Sequence, residues 1–212
     1  MIRHFRLDRF RTIIRWGLSL FVLCAAAAHG RSEHPLEDPW RWTHFTVDDA
    51  LPAPSGLRIM ESRSGVLWVS TANGLAWFDG FQWQSVADAP GAPPAQFPGA
   101  INTLPDGKVS VRIGGVVYVG DQRGFEQISL PGETIDFAVP TTDGEFILLT
   151  RESTLYQWRE NKAIPMSPPD GVDESDVRFV QASDDGSVWL GAPPSLYLLE
   201  GDRWILEQQG ME

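Results

Sequence analysis

An all-β fold is predicted for this chain: a β-propeller of four-stranded antiparallel blades, with about four blades present. Three observations predict it. A turn dipeptide followed by an apolar run recurs four times: Ser64-Gly65 before VLWVST, Asp106-Gly107 before KVSVRI, Asp143-Gly144 before EFILLT and Asp185-Gly186 before SVWLGA. The second residues of these dipeptides are spaced by 42, 37 and 42 residues. Within the runs, apolar residues alternate and β-branched and aromatic types are enriched, which is the pattern of a pleated strand. The 20 Gly and 16 Pro are spread along the chain, as many short strands require. A β-sandwich is the structural competitor, and it does not account for a fourfold internal repeat.

The elements follow in chain order. Residues 1–30 read as a secretory signal peptide. Arg3, Arg6, Arg9, Arg11 and Arg15 make a basic start, Trp16–Ala28 is a short apolar run, and small residues precede Gly30-Arg31. Because the basic region is long, an uncleaved N-terminal membrane anchor is the alternative. Cys24 follows Leu23, where a lipidation site requires a small residue, and no other cysteine exists, so the mature chain has no disulfide and no thiol chemistry. Removal of 1–30 leaves 12 basic and 27 acidic residues, a net of −15. Such a surface repels nucleic acid and anionic membranes. Residues 31–40, rich in Pro and Glu, are expected to form a flexible lead.

Blade material begins at residue 41. RWTHFTV, Arg41–Val47, reads as a spare outer strand, because Trp42 matches Trp204 in the last repeat. Blades 1 to 4 are expected over 48–90, 91–131, 132–170 and 171–212. Each contains a strand before the turn dipeptide (LRIMES, AINTLP, IDFAVPTT, VRFVQAS) and the run after it. A third strand follows (GLAWFDG, GVVYVGD, STLYQWRE, SLYLLEG), then a fourth, weakest at NKAIPMS. Four blades and one extra outer strand do not make a simple closed ring. The expectation is therefore an incomplete ring from a longer protein, with further blades between residue 212 and the strand at 41–47.

The segment Trp42–Trp83 resembles the two-component regulator propeller repeat. Leu67-Trp68-Val69-Ser70-Thr71, Gly74-Leu75 and Phe78-Asp79-Gly80 stand at the places of that repeat's signature, and Val188-Trp189-Leu190-Gly191 repeats it. Ala50 stands where the repeat has glycine, and Ala192-Pro193-Pro194 where it has threonine and a turn residue. The resemblance covers most of 40–210. It implies a periplasmic sensor region, followed in the family by a further β-domain, a membrane helix and an output such as a histidine kinase, a diguanylate cyclase or a DNA-binding domain. None of those motifs lies within these 212 residues.

Catalytic chemistry finds little support in the residues. The mature chain has only His34, in the lead, and His44, expected inside a strand, and no HxH, HExxH or cysteine cluster that would hold zinc. Asp79, Asp106, Asp143 and Asp185 each precede Gly and are explained as turn residues. The acidic stretches 173–176 and 184–186 lack the oxygen spacing and closing Glu of a calcium loop. Trp68 and Trp189 share one repeat position and are expected to pack between blades rather than hold a ligand. The irregular segment Asp88–Gln96 is the expected variable, ligand-facing loop. No catalytic, cofactor or metal residue is assigned, no cofactor is expected, and the ligand-binding residues stay unassigned.

The reading is a non-enzymatic, exported ligand-sensing module of a two-component protein, located in the periplasm. The alternatives are a propeller-fold carbohydrate-active lyase or hydrolase, and a protein-interaction scaffold. The partner classes left open are a small-molecule or oligosaccharide ligand and a homodimer through the propeller. Nucleic acid is not expected. Membrane attachment is expected only through a downstream span or an uncleaved N-terminus.

Overall fold

The computed structural model describes residues 43–183 and 185–210. The signal-peptide or anchor reading of 1–30, the lead over 31–40 and the start of the outer strand at 41–42 lie outside the described residues. One compact unit begins at Phe45.

Four antiparallel four-stranded sheets follow one another along the chain, each a meander in sequence order. Blade 1 contains β1 (Gly56–Glu61), β2 (Leu67–Thr71), β3 (Gly74–Phe78) and β4 (Trp83–Ser85). Blade 2 contains β5 (Ile101–Thr103), β6 (Val109–Ile113), β7 (Val116–Asp121) and β8 (Gly124–Ile128). Blade 3 contains β9 (Ile135–Pro140), β10 (Phe146–Thr150), β11 (Leu155–Arg159) and β12 (Lys162–Met166). Blade 4 contains β13 (Phe179–Ala182), β14 (Val188–Ala192), β15 (Ser195–Glu200) and β16 (Arg203–Gln209). The weak run NKAIPMS is thus a true fourth strand, paired along β11.

Strand alternation gives every blade two apolar faces, and the faces have different neighbours. In blade 2, Val109, Val111 and Tyr118 meet Trp68 and Leu75 of blade 1. The opposite face of the same sheet places Val117 and Ile128 against Ile135, Phe146 and Leu148 of blade 3. In turn Ile147, Leu149 and Leu155 of blade 3 pack on Val180, Val188 and Leu190 of blade 4. The core is therefore three inter-blade layers in series. Hairpin tips stitch the same junctions: Ile135 N donates to Gly115 O at 3.2 Å, and Ser153 Oγ to Val177 O at 3.5 Å.

The two ends of the series differ. On blade 1 the face away from blade 2 carries Val69, Ala76 and Trp83, and Phe45 and Leu51 pack over it. Phe45 stands edge-on to Phe78 and Trp83, with centroids 5.4 and 6.0 Å away. On blade 4 the face away from blade 3 carries Phe179, Trp189 and Leu196 around a shallow apolar hollow. Leu75, Val117 and Leu155, which register with Ser70, Arg112 and Leu149, are each 1% exposed; Leu196, at the same place opposite Gly191, is only half-buried. No hydrophobic cluster among the described residues joins blade 4 to blade 1, so the four blades form an arc.

The outer strand expected over 41–47 is corrected at its described part. Residues 43–46 are irregular, and Val47–Asp49 is a 3-10 turn. The cause is local. Thr46 Oγ1 accepts from Asp48 N at 3.2 Å, and Asp49 accepts from Thr46 N at 2.8 Å, a reciprocal capping box that ends the extended chain. His44, expected in that strand, lies in the irregular part.

Candidate functional site

The innermost strands β1, β5, β9 and β13 line a concavity of about 620 Å³ that touches all four blades. That size is ordinary for a small-molecule site. Its wall is mixed. Arg58 and Gln181 come from the inner strands of blades 1 and 4, Asn102 from that of blade 2, and Asp136 and Phe137 from that of blade 3. Ser70 and Arg112 come from the second strands of blades 1 and 2, and Phe97 and Gly99 from the segment between those blades.

The ladder explains how these side chains reach one place. Arg58 is the cross-strand partner of Ser70, so both project from one face of blade 1, the face toward blade 2. Ser70 registers with Leu75 and Arg112 with Val117, so Ser70 and Arg112 hold one repeat position in successive blades. In blade 3 that position is Leu149, 2% exposed, and in blade 4 it is Gly191, where a Cβ would lie 2.2 Å from the Phe179 ring.

Arg112 spans the junction of blades 2 and 3, where its Nη1 donates to Ile135 O at 3.5 Å. Its backbone is fixed by Gly99 N, which donates to Arg112 O at 2.7 Å. Gly99 lets the guanidinium lie close, since a Cβ there would stand 2.8 Å from Nη2. Asn102 Nδ2 donates to Ala138 O at 3.3 Å and braces the same junction. Asp136 is paired with Arg151, Nη2 to Oδ1 3.4 Å. Neither Arg58 nor Arg112 has an ion-pair partner among the described residues. Ser70 is 1% exposed, and its Oγ has no hydrogen-bond partner among them. Phe97 and Phe137, in contrast, are 66% and 38% exposed. The wall thus offers cationic and neutral donors beside open aromatic surface. Its one carboxylate is already paired, so among the described residues it lacks the two-carboxylate arrangement of glycoside hydrolysis.

The residues singled out from sequence are distributed differently. Trp68 lies between blades 1 and 2 with its ring edge-on to Phe125 at 6.3 Å. Trp189 holds the same repeat position on the outward face of blade 4, with Nε1 donating to Ser183 Oγ at 2.9 Å. Asp88–Gln96, the expected ligand-facing loop, does not line this concavity. Pro90 O accepts from Phe125 N at 2.8 Å, and Ala89 packs on the core between blades 1 and 2, so the segment is a strap. At Gly91, φ is +67° and a Cβ would sit 2.1 Å from Phe125 O, which only glycine permits. The concavity is lined by the residues just after it, Phe97–Gly99. Three of the four turn aspartates act as expected, with Asp79, Asp106 and Asp185 accepting turn N–H groups. Sequence reasoning missed Arg58, Ser70 and Arg112. The available signal was a polar residue at a repeat position that blade 3 fills with leucine.

Among protein-family models and curated proteins, none matches this chain. Solved structures do. Virginiamycin B lyase from Staphylococcus aureus superposes with a TM-score of 0.55 at 14% identity, over 74% of this chain and 57% of its own. The extracellular domain of the hybrid two component system BT4673 from B. thetaiotaomicron gives 0.56 at 15%, over 76% of this chain and 25% of its own. The corresponding domain of BT3049 from the same organism gives 0.51 at 16%, over 76% and 23%. The propeller fold is thereby established. The chain spans just over half of the lyase and about a quarter of the sensor domains.

Proposed function

We propose that this chain is a ligand-binding propeller, the exported sensor portion of a two-component signalling protein of the regulator propeller repeat type. The observation that carries the reading is the concavity at the inner ends of the four blades, where unpaired donors and exposed aromatic rings converge on a rigid scaffold. The signature runs LWVST and VWLG, the basic and apolar N-terminal sequence, and the fold shared with extracellular sensor domains support it. A binding role is favoured over a catalytic one because the lining, among the described residues, holds no histidine, no cysteine and one paired carboxylate.

Two measurements test the reading. Thermal unfolding of purified protein against a panel of carbohydrates and small metabolites is expected to show a raised midpoint with at least one compound class and no turnover of it. Fractionation of cells expressing the chain is expected to place it outside the cytoplasm, with N-terminal sequencing locating any cleavage near residue 30. Turnover of a glycan without stabilisation by any compound overturns the sensor assignment.

A further inference from the structure

We propose that the concavity takes a small organic carboxylate, with Arg58, Ser70 and Arg112 meeting the carboxylate and Phe97 and Phe137 covering the rest of the molecule. The proposal rests on the binding role of this concavity and specifies what it binds.

Ser70 is the first reason. A hydroxyl that is buried with no partner carries its full desolvation penalty, so an unfilled one at a core position needs a cause. The fold does not demand it, because Leu149 fills the same position in blade 3. A ligand oxygen in the concavity supplies the missing acceptor.

The arginines are the second. Arg58 faces the concavity from the strand position opposite Ser70, and Arg112 repeats the Ser70 position one blade later. A guanidinium carries five N–H donors in a fork that matches a carboxylate. Arg112 spends one of them on a long bond to Ile135 O. Acidic residues outnumber basic ones by 28 to 17 in this chain, yet these two arginines have no carboxylate partner among the described residues. Asp136, the acid that shares the wall, is paired with Arg151. The wall therefore has surplus donors and cationic charge, and the complementary ligand is an acceptor-rich anion.

Phe97 and Phe137 are the third. Both expose large apolar area beside those donors, which suits an anion with a ring or hydrocarbon body rather than a bare ion.

The test uses near-isosteric probes that differ chiefly in charge: glucuronate against glucuronamide, and phenylacetate against phenylacetamide, with inorganic phosphate as the bare anion, each by titration calorimetry on purified protein. At least one acid is expected to bind ten times or more tighter than its neutral partner, and to weaken in 0.5 M NaCl. Arg58→Gln and Ser70→Ala are each expected to weaken that acid about tenfold. Arg58 makes no side-chain hydrogen bond to another described residue, so its variant retains the wild-type unfolding midpoint, whereas replacing Arg112 disturbs the junction of blades 2 and 3. Equal binding of acid and neutral partner, or an Arg58→Gln variant with unchanged affinity, overturns the proposal. Binding of neutral compounds alone overturns the carboxylate chemistry and leaves the ligand-binding role standing. Tighter binding of phosphate than of either acid assigns a bare-anion site and also overturns it. Silence from every probe, with a neutral metabolite panel equally silent, overturns both.

Discussion

At the scale of single residues, the same residue type at one repeat position acquires different worth from what covers it. Trp68 and Trp189 share a signature and a repeat position, but Trp68 is 1% exposed and Trp189 is half-buried on a face that no other described blade covers. Trp68→Ala is expected to cost about 3–5 kcal/mol in urea unfolding. Trp189→Ala is expected to cost only about 1–2 kcal/mol, since less area returns to water. Equal losses would contradict the arc. Tyr156 offers a second residue-scale measurement. Its phenol donates to Glu133 Oε1 at 2.6 Å, and that bond, then burial, then the carboxylate charge raise its ionisation above the ordinary 10.0. A raised value means that the stabilisation is present below pH 10 and is lost as pH rises through the folded value. Ultraviolet titration of the wild type against Tyr156→Phe is expected to show the loss of a late-ionising phenol in the variant.

At the scale of elements, the turns carry their own chemistry. Asp79 is held below the ordinary carboxylate value of 3.8, first by the Gln82 N–H and then by Gln84 and the Phe81 N–H. Asp185 is lowered by the Ser187 N–H and hydroxyl. Depressed values stabilise the fold above the unfolded value and are lost as pH falls through the folded one. Acid unfolding is therefore expected to begin below about pH 4, and an Asp79→Asn, Asp185→Asn double variant is expected to show a flatter midpoint as pH falls below that value. The strap over blades 1 and 2 makes a sharper case. Gly91→Ala is expected to destabilise by about 1–3 kcal/mol or more, because left-handed backbone and contact with Phe125 O are both forbidden to a side chain.

The elements also mark what a sequence can and cannot tell. LWVST and VWLGA announce strands because alternation and β-branched residues have one reading there, and Asp-Gly pairs fix the hairpins. Arg41–Val47 looked like another strand for the same reason, yet Thr46 and Asp49 bond to the backbone around them and divert it into a 3-10 turn. The concavity was harder to see. Arg58, Ser70 and Arg112 come to line one concavity only through strand register and blade succession, neither of which a local pattern contains.

At the scale of the whole molecule, stability is a sum of junctions in series. β10 is buried at all five positions, whereas β16 is exposed at six of seven. Amide hydrogen exchange is expected to be slowest in β6 and β10 and fastest in β16 and β12, with protection falling outward through each blade. Uniform protection would show that the arc unfolds as one cooperative block.

The alternation that gives each blade two unlike faces has a historical consequence. Every internal unit carries one half of the junction on its front and the other half on its back. A tandem copy of some forty residues, spliced after any blade, arrives with a matching surface for each neighbour. Gene duplication can lengthen such an array without reinventing a single contact, while drift at the Ser70, Arg112 and Leu149 position diversifies the chemistry of the inner wall.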